Sequence, residues 1–394
     1  MMNNAPRYDE IPKGEAIRDL QKVKLVIGNG FDLQCGMLSS YKNYFESVFE
    51  MNLAITRWAH TFSKLRPYLM SWNEAFWNKL EFFDEMNAWD CFFCLTINDN
   101  LEQKKWCDVE TEMEKSFLSV NKKFKDNSFW GEVYRAGMEP NSLGNINQTS
   151  LLIAAFILHK RNTEWFESER EFFFFLLDEL KLFEVRFGKF IHQQQDDKYE
   201  QKFIQLVSSL CDPDYLVSID SFNYSVLEKA EYHQFNINGD YTRPIFGIDS
   251  QRFDPQNPRY IFTKTYRRIE NDTDNHNILF DQGFKNVVVF GHSLCSHDYS
   301  YFFPLLDKLK MYDYTAKESI VFAYHIYDFK RESEIKTRHR FAIAELIKEY
   351  AEYRGIGEPN RLLDSLSIFH RIWIYELNAF IPIQDLCHNK SEDA

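Results

Sequence analysis

The feature that most constrains the fold is a series of short apolar segments separated by helical patterns. One such segment covers residues 23–28, and similar segments follow from residue 214 onward in DYLVSIDSFNY, RYIFTKTY, NVVVFGHSL, SIVFAYHIYD and LSIFHRIWIY. Between some of them lie segments with apolar residues at helical spacing, such as FAIAELIKEYAEYR. Apolar strands that alternate with helices predict an α/β fold with a mainly parallel sheet, covered on both faces.

The chain between residues 46 and 205 has a different character. It contains segments such as WNEAFWNKLEFFDEM and EREFFFFLLDELKLFEVRFGKFI, in which aromatic and aliphatic residues fall at helical spacing. We therefore expect an α/β core formed by residues 1–45 and 206–394, interrupted by a large all-helical insertion at residues 46–205. Two roles fit this insertion, namely a lid over a ligand pocket and a surface for oligomers.

Charge and hydropathy narrow the classes of partner. The 394 residues carry a net charge of −13, which disfavours nucleic acid because phosphate binding needs clustered Lys and Arg. The amino terminus has no basic region followed by an apolar one, and no later stretch offers about twenty uncharged apolar residues. We therefore expect a soluble, cytoplasmic protein that makes no contact with membranes.

The cysteines suggest neither a disulfide framework nor a metal site. The seven cysteines, an odd number, are scattered along the chain, which is typical of free thiols in a reducing compartment. Only Cys91 and Cys94 have the spacing of metal ligands, but no second pair and no pair of histidines lies nearby. We expect buried thiols at these two positions and no metal in the protein.

The segment KLVIGNGFDL ends a predicted strand in a glycine turn. The backbone amides of residues 28–30 are candidates for phosphate contacts, and Asp32 is a candidate to accept a hydrogen bond from a ribose hydroxyl. The alternative is a turn without a ligand, which Asp32 caps. The next glycine, Gly36, comes too late for the dinucleotide fingerprint of dehydrogenases, and we expect a loop over residues 29–39 before the next helix.

Three further segments place polar residues after strands or apolar runs. Asn223 follows the strand in VSIDSFNYS, where its amide can orient a sugar hydroxyl or a water molecule. Asn238 and Gly239 in FNINGDY are, by themselves, more typical of a hairpin turn than of a site. Residues 287–298, VVVFGHSLCSHD, are the most site-like, because small and polar residues directly follow a buried strand. For His292, a hydrogen-bonded core imidazole is the alternative.

These motifs occur in one order along the chain: IGNGFDL, WCDVE, SFNYS, NING followed by IFGID, and VVFGHSLCSHD. The series resembles the AbiH family of bacterial phage abortive-infection proteins. The resemblance extends from about residue 23 to residue 305. It implies a function in defence against bacteriophages.

AbiH proteins are in turn distantly similar to the SIR2 group, whose Rossmann-like domain binds NAD and whose defence members cleave it. This similarity implies a Rossmann-like, SIR2-like parallel sheet here, and it implies ligand contacts by motif. Asn223 matches the asparagine near the nicotinamide ribose, and Gly291 with Ser293 match the later loop on the adenosine side. The first glycine loop, over the phosphates and the nicotinamide ribose, is matched by Gly28, Asn29, Gly30 and Phe31.

The chain departs from the family pattern at one position. The pattern has a His-Gly pair after the third strand, whereas this chain has Asn238 and Gly239. Asparagine cannot take up a proton near neutral pH as imidazole does. A substitute from His233, His292 or His297 is one alternative, and catalysis by oriented water with electrostatic stabilisation is the other.

The leading hypothesis is a phage-defence effector that binds NAD and hydrolyses it to nicotinamide and ADP-ribose. Its candidate catalytic residues are Asn223, Asn238 and Asp32, and its candidate ligand contacts also include Gly239, His292 and Asp298. The alternatives are a non-catalytic sensor of NAD or ADP-ribose that signals to a partner, and a metal-dependent nuclease that uses the carboxylates of Asp32, Asp220, Asp240 and Asp298. The expected partners are a small nucleotide, a phage-derived trigger, and a second copy or a second defence protein.

Overall fold

The computed structural model describes residues 20–39, 43–44, 89, 110–111, 113–115, 117, 169–227, 232–250, 253–271, 283–313 and 315–377. The chain forms two compact units. The first comprises residues 1–39, 191–240 and 273–394, and the second comprises residues 40–190 and 241–272. Much of the predicted helical insertion at 46–205, including Cys91 and Cys94, lies outside the described residues, and its limits stay a prediction.

The first unit contains a sheet whose six described strands are all parallel. They are β1 (Val23–Ile27), β2 (Leu216–Ser221), β3 (Gln234–Asn236), β4 (Asn286–Phe290), β5 (Ser319–Tyr324) and β6 (Ile372–Glu376). Their order across the sheet is β3-β2-β1-β4-β5-β6, which is the order of doubly wound Rossmann folds. The predicted α/β fold with a mainly parallel sheet is therefore confirmed.

The register of the central strands brings three loops to one edge of the sheet. Ile27, at the end of β1, is paired with Ser221 of β2 and with Phe290 of β4. The segments that follow these strands therefore start side by side at the carboxyl edge. In doubly wound sheets this edge binds ligands where the direction of winding reverses, which here is between β1 and β4.

The described helices flank the sheet in the first unit and contribute to the second. They are α1 (Asn29–Gln34), α2 (Glu169–Gln194), α3 (Asp197–Leu210), α4 (Lys264–Glu270), α5 (Tyr299–Lys308), α6 (Glu332–Tyr353) and α7 (Pro359–Ile368). Short 3-10 helices occupy Pro213–Tyr215, Pro258–Phe262, Ser296–Asp298 and Phe329–Arg331. Among the helices described, none combines the length and the hydrophobicity needed to cross a membrane.

Apolar packing covers both faces of the sheet. On one face, Val26 and Val289 belong to a single buried cluster with Phe302 of α5 and Leu346 of α6. On the other face, the ring of Phe31 packs against those of Phe203 in α3 and Phe290 in β4, at centroid distances of 4.6 and 6.0 Å. Two covered faces explain why β4, β5 and β6 are apolar along most of their length.

The segment RYIFTKTY was predicted as a strand, and this prediction is wrong. Residues 258–262 form a 3-10 helix, and α4 follows directly. The side chain of Asn257 accepts a hydrogen bond from the amide of Arg259 at 3.0 Å, and that of Thr263 accepts one from the amide of Tyr266 at 3.2 Å. Local capping of two successive helical turns thus prevails over the strand propensity of the aromatic and β-branched residues.

A buried ion pair lies inside the sheet of the first unit. The side chains of Lys24 in β1 and Asp220 in β2 are both 0% exposed, and their Nζ and Oδ1 atoms are 2.7 Å apart. Ser218 accepts a second hydrogen bond from Lys24 at 2.9 Å, and the hydroxyl of Tyr301 in α5 donates to Asp220 at 2.5 Å. Burial lowers the pKa of Lys24 and raises the pKa of Asp220, while their mutual attraction opposes both shifts. The pair ties β1, β2 and α5 together.

The second unit has its own buried ion pairs. Arg267 of α4 donates two hydrogen bonds to Glu184 of α2, at 3.0 and 2.7 Å, and Glu184 also accepts the amide of Phe246 at 2.8 Å. Lys264 lies 2.9 Å from Glu110, which is the glutamate of the WCDVE motif. Two sequence motifs in this unit, WCDVE and IFGID, thus include residues of a buried ionic network.

We expect Lys24→Met to lower the free energy of unfolding by about 3 kcal/mol or more, because it leaves the Asp220 carboxylate buried without its cation. Adding Asp220→Asn should recover part of the loss, since asparagine can still accept from Tyr301 and carries no charge. Urea denaturation of both variants measures the difference. Arg361→Met is the control, because the Arg361–Glu358 pair is exposed and its loss should cost less than about 1 kcal/mol. If the double variant lost as much free energy of unfolding as the two single variants lose together, this account of the ion pair would be contradicted.

Candidate functional site

The loops after β1 and β4 touch each other through their backbones. The amide of Gly28 donates to the carbonyl of Phe290 at 3.1 Å, and that of Gly30 donates to the carbonyl of Gly291 at 2.8 Å. A Cβ atom on Gly28 would lie 2.7 Å from Cα of His292, and one on Gly30 would lie 2.8 Å from Cα of Gly291. Only glycine therefore allows the two loops to approach this closely.

Residues 29–34 form α1, so the predicted loop over residues 29–39 is wrong in its first half. The helix begins directly after Gly28, and its first turn buries Phe31 and Asp32. Asn29 is held by the hydroxyl of Ser39, which donates to its side-chain oxygen at 2.6 Å. Burial of two side chains in the first turn explains why a glycine-rich segment continues as a helix instead of a loop.

The amides of the first glycine loop are largely engaged within the protein. Those of Gly28 and Gly30 donate to the β4 loop, and that of Phe31 donates to the carbonyl of Gly28 at 2.8 Å. A phosphate at this loop would have to replace these hydrogen bonds or use the remaining amide, that of Asn29. The predicted contact between residues 28–31 and NAD phosphates stays a prediction.

Asp32 is a buried carboxylate surrounded by neutral donors. Its side chain is nearly inaccessible, with the residue 2% exposed. The hydroxyl of Tyr199 in α3 donates to Oδ1 at 2.8 Å, and that of Ser225 donates to Oδ2 at 2.9 Å. Burial raises the pKa of Asp32 to about 6, while the hydroxyls and the nearby side-chain amide of Asn223 favour the ionised form.

Asn223 lies next to this carboxylate, directly after β2. Its side-chain nitrogen donates to the carbonyl of Gly28 at 3.0 Å, and its backbone amide donates to the hydroxyl of Ser221 at 3.1 Å. Asn223 thereby connects the β2 loop to the first glycine loop. Among the described residues, no donor reaches its side-chain oxygen, so that atom is available to a ligand or a water molecule.

Two side chains of β3 hold the β2 loop in place. The side-chain nitrogen of Asn236 donates to the carbonyls of Asn223 and Ser225, at 2.7 and 2.9 Å. The side chain of Gln234 also donates to the carbonyl of Ser225, at 2.7 Å. Neither residue was among the candidates from the sequence.

Asn238 and Gly239 form the turn that follows β3, at the same edge of the sheet. Asn238 is 4% exposed, and Gly239 has a φ of +77°, a conformation that favours glycine. The amide of Gly239 donates to the carbonyl of Asn236 at 3.3 Å, which links the turn to the residue that holds Asn223. A catalytic role for Asn238 stays a prediction.

Both ring nitrogens of His292 have partners in the protein. Nδ1 accepts the amide of Leu294 at 2.9 Å, and Nε2 lies 3.3 Å from the carboxylate of Asp298. An acceptor at Nδ1 requires the proton of the neutral ring to be on Nε2, where it is donated to Asp298. The ring packs against Phe222 at a centroid distance of 4.3 Å. His292 therefore fixes the shape of the β4 loop.

The exposed part of the β4 loop is at Ser293. Gly291 takes a φ of +72°, and the chain then exposes the side chain of Ser293. Within the described part of the chain, no acceptor receives the backbone amides of His292 and Ser293. Two successive amides beside an exposed hydroxyl have the donor chemistry that phosphate groups require.

The structure brings together most of the predicted site residues and adds others. Hydrogen bonds join Asn223 to Gly28 and Gly30 to Gly291, and the backbone of His292 lies against Gly28. The side-chain amide of Asn223 also lowers the pKa of the neighbouring Asp32. The residues that the sequence analysis missed are Tyr199, Ser225, Gln234 and Asn236. Tyr199 carried a detectable signal, because it is a hydroxyl on the otherwise apolar stripe of α3.

No group of three or more metal-binding side chains occurs in the described ranges. Of the carboxylates considered for a nuclease, Asp220 is paired with Lys24, Asp32 with two hydroxyls, and Asp298 faces His292. These carboxylates have separate partners. We therefore derive no metal chemistry from them.

The strand order, the closely packed glycine loops and the polar groups around Asn223 define a Rossmann-like α/β protein with a candidate site at the carboxyl edge of its sheet. The chain belongs to the AbiH family, since the family described as "Bacteriophage abortive infection AbiH" matches residues 25–321. This membership implies a role in abortive infection, a defence against bacteriophages. No curated protein and no solved structure was found to match the chain.

The glycine contact can be tested with two substitutions of the same type. Gly291 and Gly355 both have positive φ values, +72° and +69°, but only at Gly291 would a Cβ meet backbone atoms, those of Phe31 and Gly30. We expect Gly355→Ala to lower the free energy of unfolding by about 1 kcal/mol and Gly291→Ala to lower it by clearly more. If both variants lost the same free energy of unfolding in urea denaturation, the contact between the two loops would not be what requires glycine at position 291.

The buried Asp32 should give stability a specific pH dependence. Its pKa is about 6 in the folded protein and 3.8 ordinarily, so the folded state binds the proton more tightly. The stabilisation of the folded state that comes from this tighter proton binding is therefore fully present below pH 3.8 and is lost as the pH rises through about 6. Two pKa units correspond to about 3 kcal/mol. Relative to Asp32→Asn, the wild type should lose about this amount between pH 4 and pH 7, as measured by urea denaturation. If the difference in the free energy of unfolding between wild type and Asp32→Asn stayed constant from pH 4 to pH 7, the raised pKa of Asp32 would be contradicted.

Proposed function

We propose that the protein binds NAD at the carboxyl edge of its sheet and hydrolyses it to nicotinamide and ADP-ribose, as the chemical step of abortive infection. The observation that carries this proposal is the orientation of Asn223. Its side-chain nitrogen donates to the carbonyl of Gly28, while its side-chain oxygen receives no hydrogen bond from the described residues. An oriented acceptor beside the switch point is suited to hold a ribose hydroxyl or the attacking water.

The reaction needs little more than such an acceptor. Water adds to the anomeric carbon of the nicotinamide ribose, the carbon–nitrogen bond breaks, and its electron pair returns to the pyridinium ring. Nicotinamide then leaves as a neutral molecule without needing a proton, and the water loses its proton to solvent. The transition state carries positive charge on the ribose, which carbonyl and carboxylate oxygens stabilise.

For the phosphates of NAD, the β4 loop is the better candidate. The amides of Gly28, Gly30 and Phe31 are occupied, whereas those of His292 and Ser293 have no acceptor in the described part of the protein. The hydroxyl of Ser293 adds a third donor, because this side chain is exposed. We therefore assign the phosphates to residues 292–293 and the nicotinamide ribose to Asn223.

A second candidate function is a sensor that binds NAD or ADP-ribose without cleaving it and signals to a partner. It is favoured by the engagement of both nitrogens of His292 and by asparagine at position 238, where the family pattern has histidine. Neither residue offers an imidazole that could accept a proton from water. Ligand binding should then raise the melting temperature without releasing nicotinamide.

We expect purified protein to release nicotinamide from NAD when extract of phage-infected cells is added. Asn223→Ala should lower the rate by about 100-fold, because it removes the group that orients the reacting water or hydroxyl. The measurement is chromatography of nicotinamide, together with the melting temperature in the presence and absence of NAD.

The matched control is Asn286→Ala. Asn286 also donates its side-chain amide to a backbone carbonyl, that of Gln21 at 2.8 Å, but it lies at the amino end of β4. This variant should retain wild-type turnover. Thermal stabilisation without nicotinamide would favour the sensor, and the absence of both effects would reject NAD as the ligand.

A further inference from the structure

Tyr199 lies in α3, outside every sequence motif that points to a nucleotide. We infer that it is a positioning residue of the same site, which acts through Asp32 to fix the side-chain amide of Asn223. The catalytic consequence of this inference rests on the proposed function. Its geometric consequence, the fixed orientation of Asn223, does not.

A ligand has almost no access to Asp32, so any effect of this carboxylate on the site must act through a neighbouring residue. Asn223 is such a neighbour. The residue is 2% exposed, and its two oxygens accept from hydroxyls in two different segments, α3 and the β2 loop. Direct contact with a ribose would require one of these donors to leave. The side-chain amide of Asn223, in contrast, is near enough to lower the pKa of Asp32 and so favours the ionised carboxylate.

The orientation of an asparagine amide is set by what surrounds its two ends. A carboxylate and a backbone carbonyl can only accept hydrogen bonds, so both exclude the amide oxygen and select the amide nitrogen. Asn223 donates to the Gly28 carbonyl at 3.0 Å, and its side-chain amide is also near enough to the Asp32 carboxylate to lower the pKa of Asp32. These two acceptors leave the oxygen of Asn223 directed away from them, as the proposed function requires.

Tyr199 fixes the carboxylate in turn. Its ring is 3% exposed and packs against Phe203, so its hydroxyl has a fixed place next to Oδ1 of Asp32. Without this donor, one oxygen of a buried carboxylate loses its hydrogen bond, and the carboxylate is free to turn toward other donors. The side-chain amide of Asn223 is such a donor, since it already favours the ionised form of Asp32.

The ionisable groups around this cluster leave Asp32 as the one that titrates near neutral pH. Tyr199 on α3 and Cys35 after α1 both have pKa values raised by burial, so both stay protonated. The charge of Lys202 on α3 acts on Cys35, whose pKa it lowers against the effect of burial, and the β2 loop contributes the neutral Asn223 and Ser225. Protonation of Asp32 would remove the charge that selects the nitrogen of Asn223.

The test compares Tyr199→Phe with Tyr350→Phe. Both changes remove a buried tyrosine hydroxyl that donates to an aspartate, at 2.8 Å for Tyr199 and at 2.6 Å for Tyr350, whose acceptor is Asp307. Only Tyr199 is connected to Asn223. The readout is the side-chain amide signals of Asn223 in protein labelled with 15N-asparagine, assigned by comparison with Asn223→Ser.

We expect Tyr199→Phe to shift these signals and to speed their hydrogen exchange by about tenfold, the effect of losing one hydrogen bond to a charged group, while Tyr350→Phe leaves them unchanged. In the wild type the signals should titrate with a midpoint near pH 6, and in Asp32→Asn they should not. Unchanged Asn223 signals in Tyr199→Phe would overturn the inference. If that variant does not fold, Ser225→Ala, which removes the hydroxyl at the other oxygen, gives the same test.

Kinetics separate this inference from the proposed function. If NAD is hydrolysed, Tyr199→Phe should lower kcat by about tenfold with KM within about twofold, because misorientation of Asn223 affects the reacting groups more than ligand binding. If Tyr199→Phe and the wild type had equal kcat, the orientation of Asn223 by Tyr199 would have no role in catalysis. If the wild type does not release nicotinamide, the proposed function fails, and the signals of Asn223 still decide whether Tyr199 positions it.

Discussion

The hydrogen bond from the Gly30 amide to the Gly291 carbonyl closes the carboxyl edge of the sheet between its two central strands. In doubly wound proteins this is where a crevice usually receives the ligand. Here backbone fills it, and the absence of side chains on both glycines is what allows the contact. The two candidate ligand contacts follow the strands on either side of β1: Asn223 follows β2, and Ser293 follows β4.

The two buried aspartates of the first unit are stabilised in different ways. Asp220 has a cation, Lys24, within 2.7 Å, so its charge is compensated inside the sheet. Asp32 has only hydroxyls and an amide, and no cation of the described residues forms an ion pair with it. A carboxylate that is buried without a cation lowers stability, and such groups are more common at functional sites than elsewhere. This contrast is what makes Asp32, and not Asp220, a candidate for a functional role.

The sequence predicted the sheet because both faces of its strands are covered, which leaves an apolar pattern that is easy to recognise. It failed at RYIFTKTY, where side-chain caps at Asn257 and Thr263 decided the local structure. For the site, residues that directly follow strands could be predicted, since parallel strands end at a common edge. Tyr199 stands out in the sequence as a hydroxyl on an apolar helix stripe, but its partner could not be predicted, because Asp32 is 167 residues away and no local pattern records the contact.

The position of β1 has a consequence for how the protein is made. β1 is the first described strand of the chain, yet it lies in the centre of the sheet, between β2 and β4. Its hydrogen bond with Asn223, through Gly28, spans 195 residues, and its other neighbour, β4, starts only at Asn286. During translation one edge of this apolar strand therefore stays unpaired until β2 has been made and the other edge until β4 has been made, and closing such long loops is slow. The candidate site is formed by the loops after β1, β2 and β4, so it cannot assemble before β4 has been synthesised.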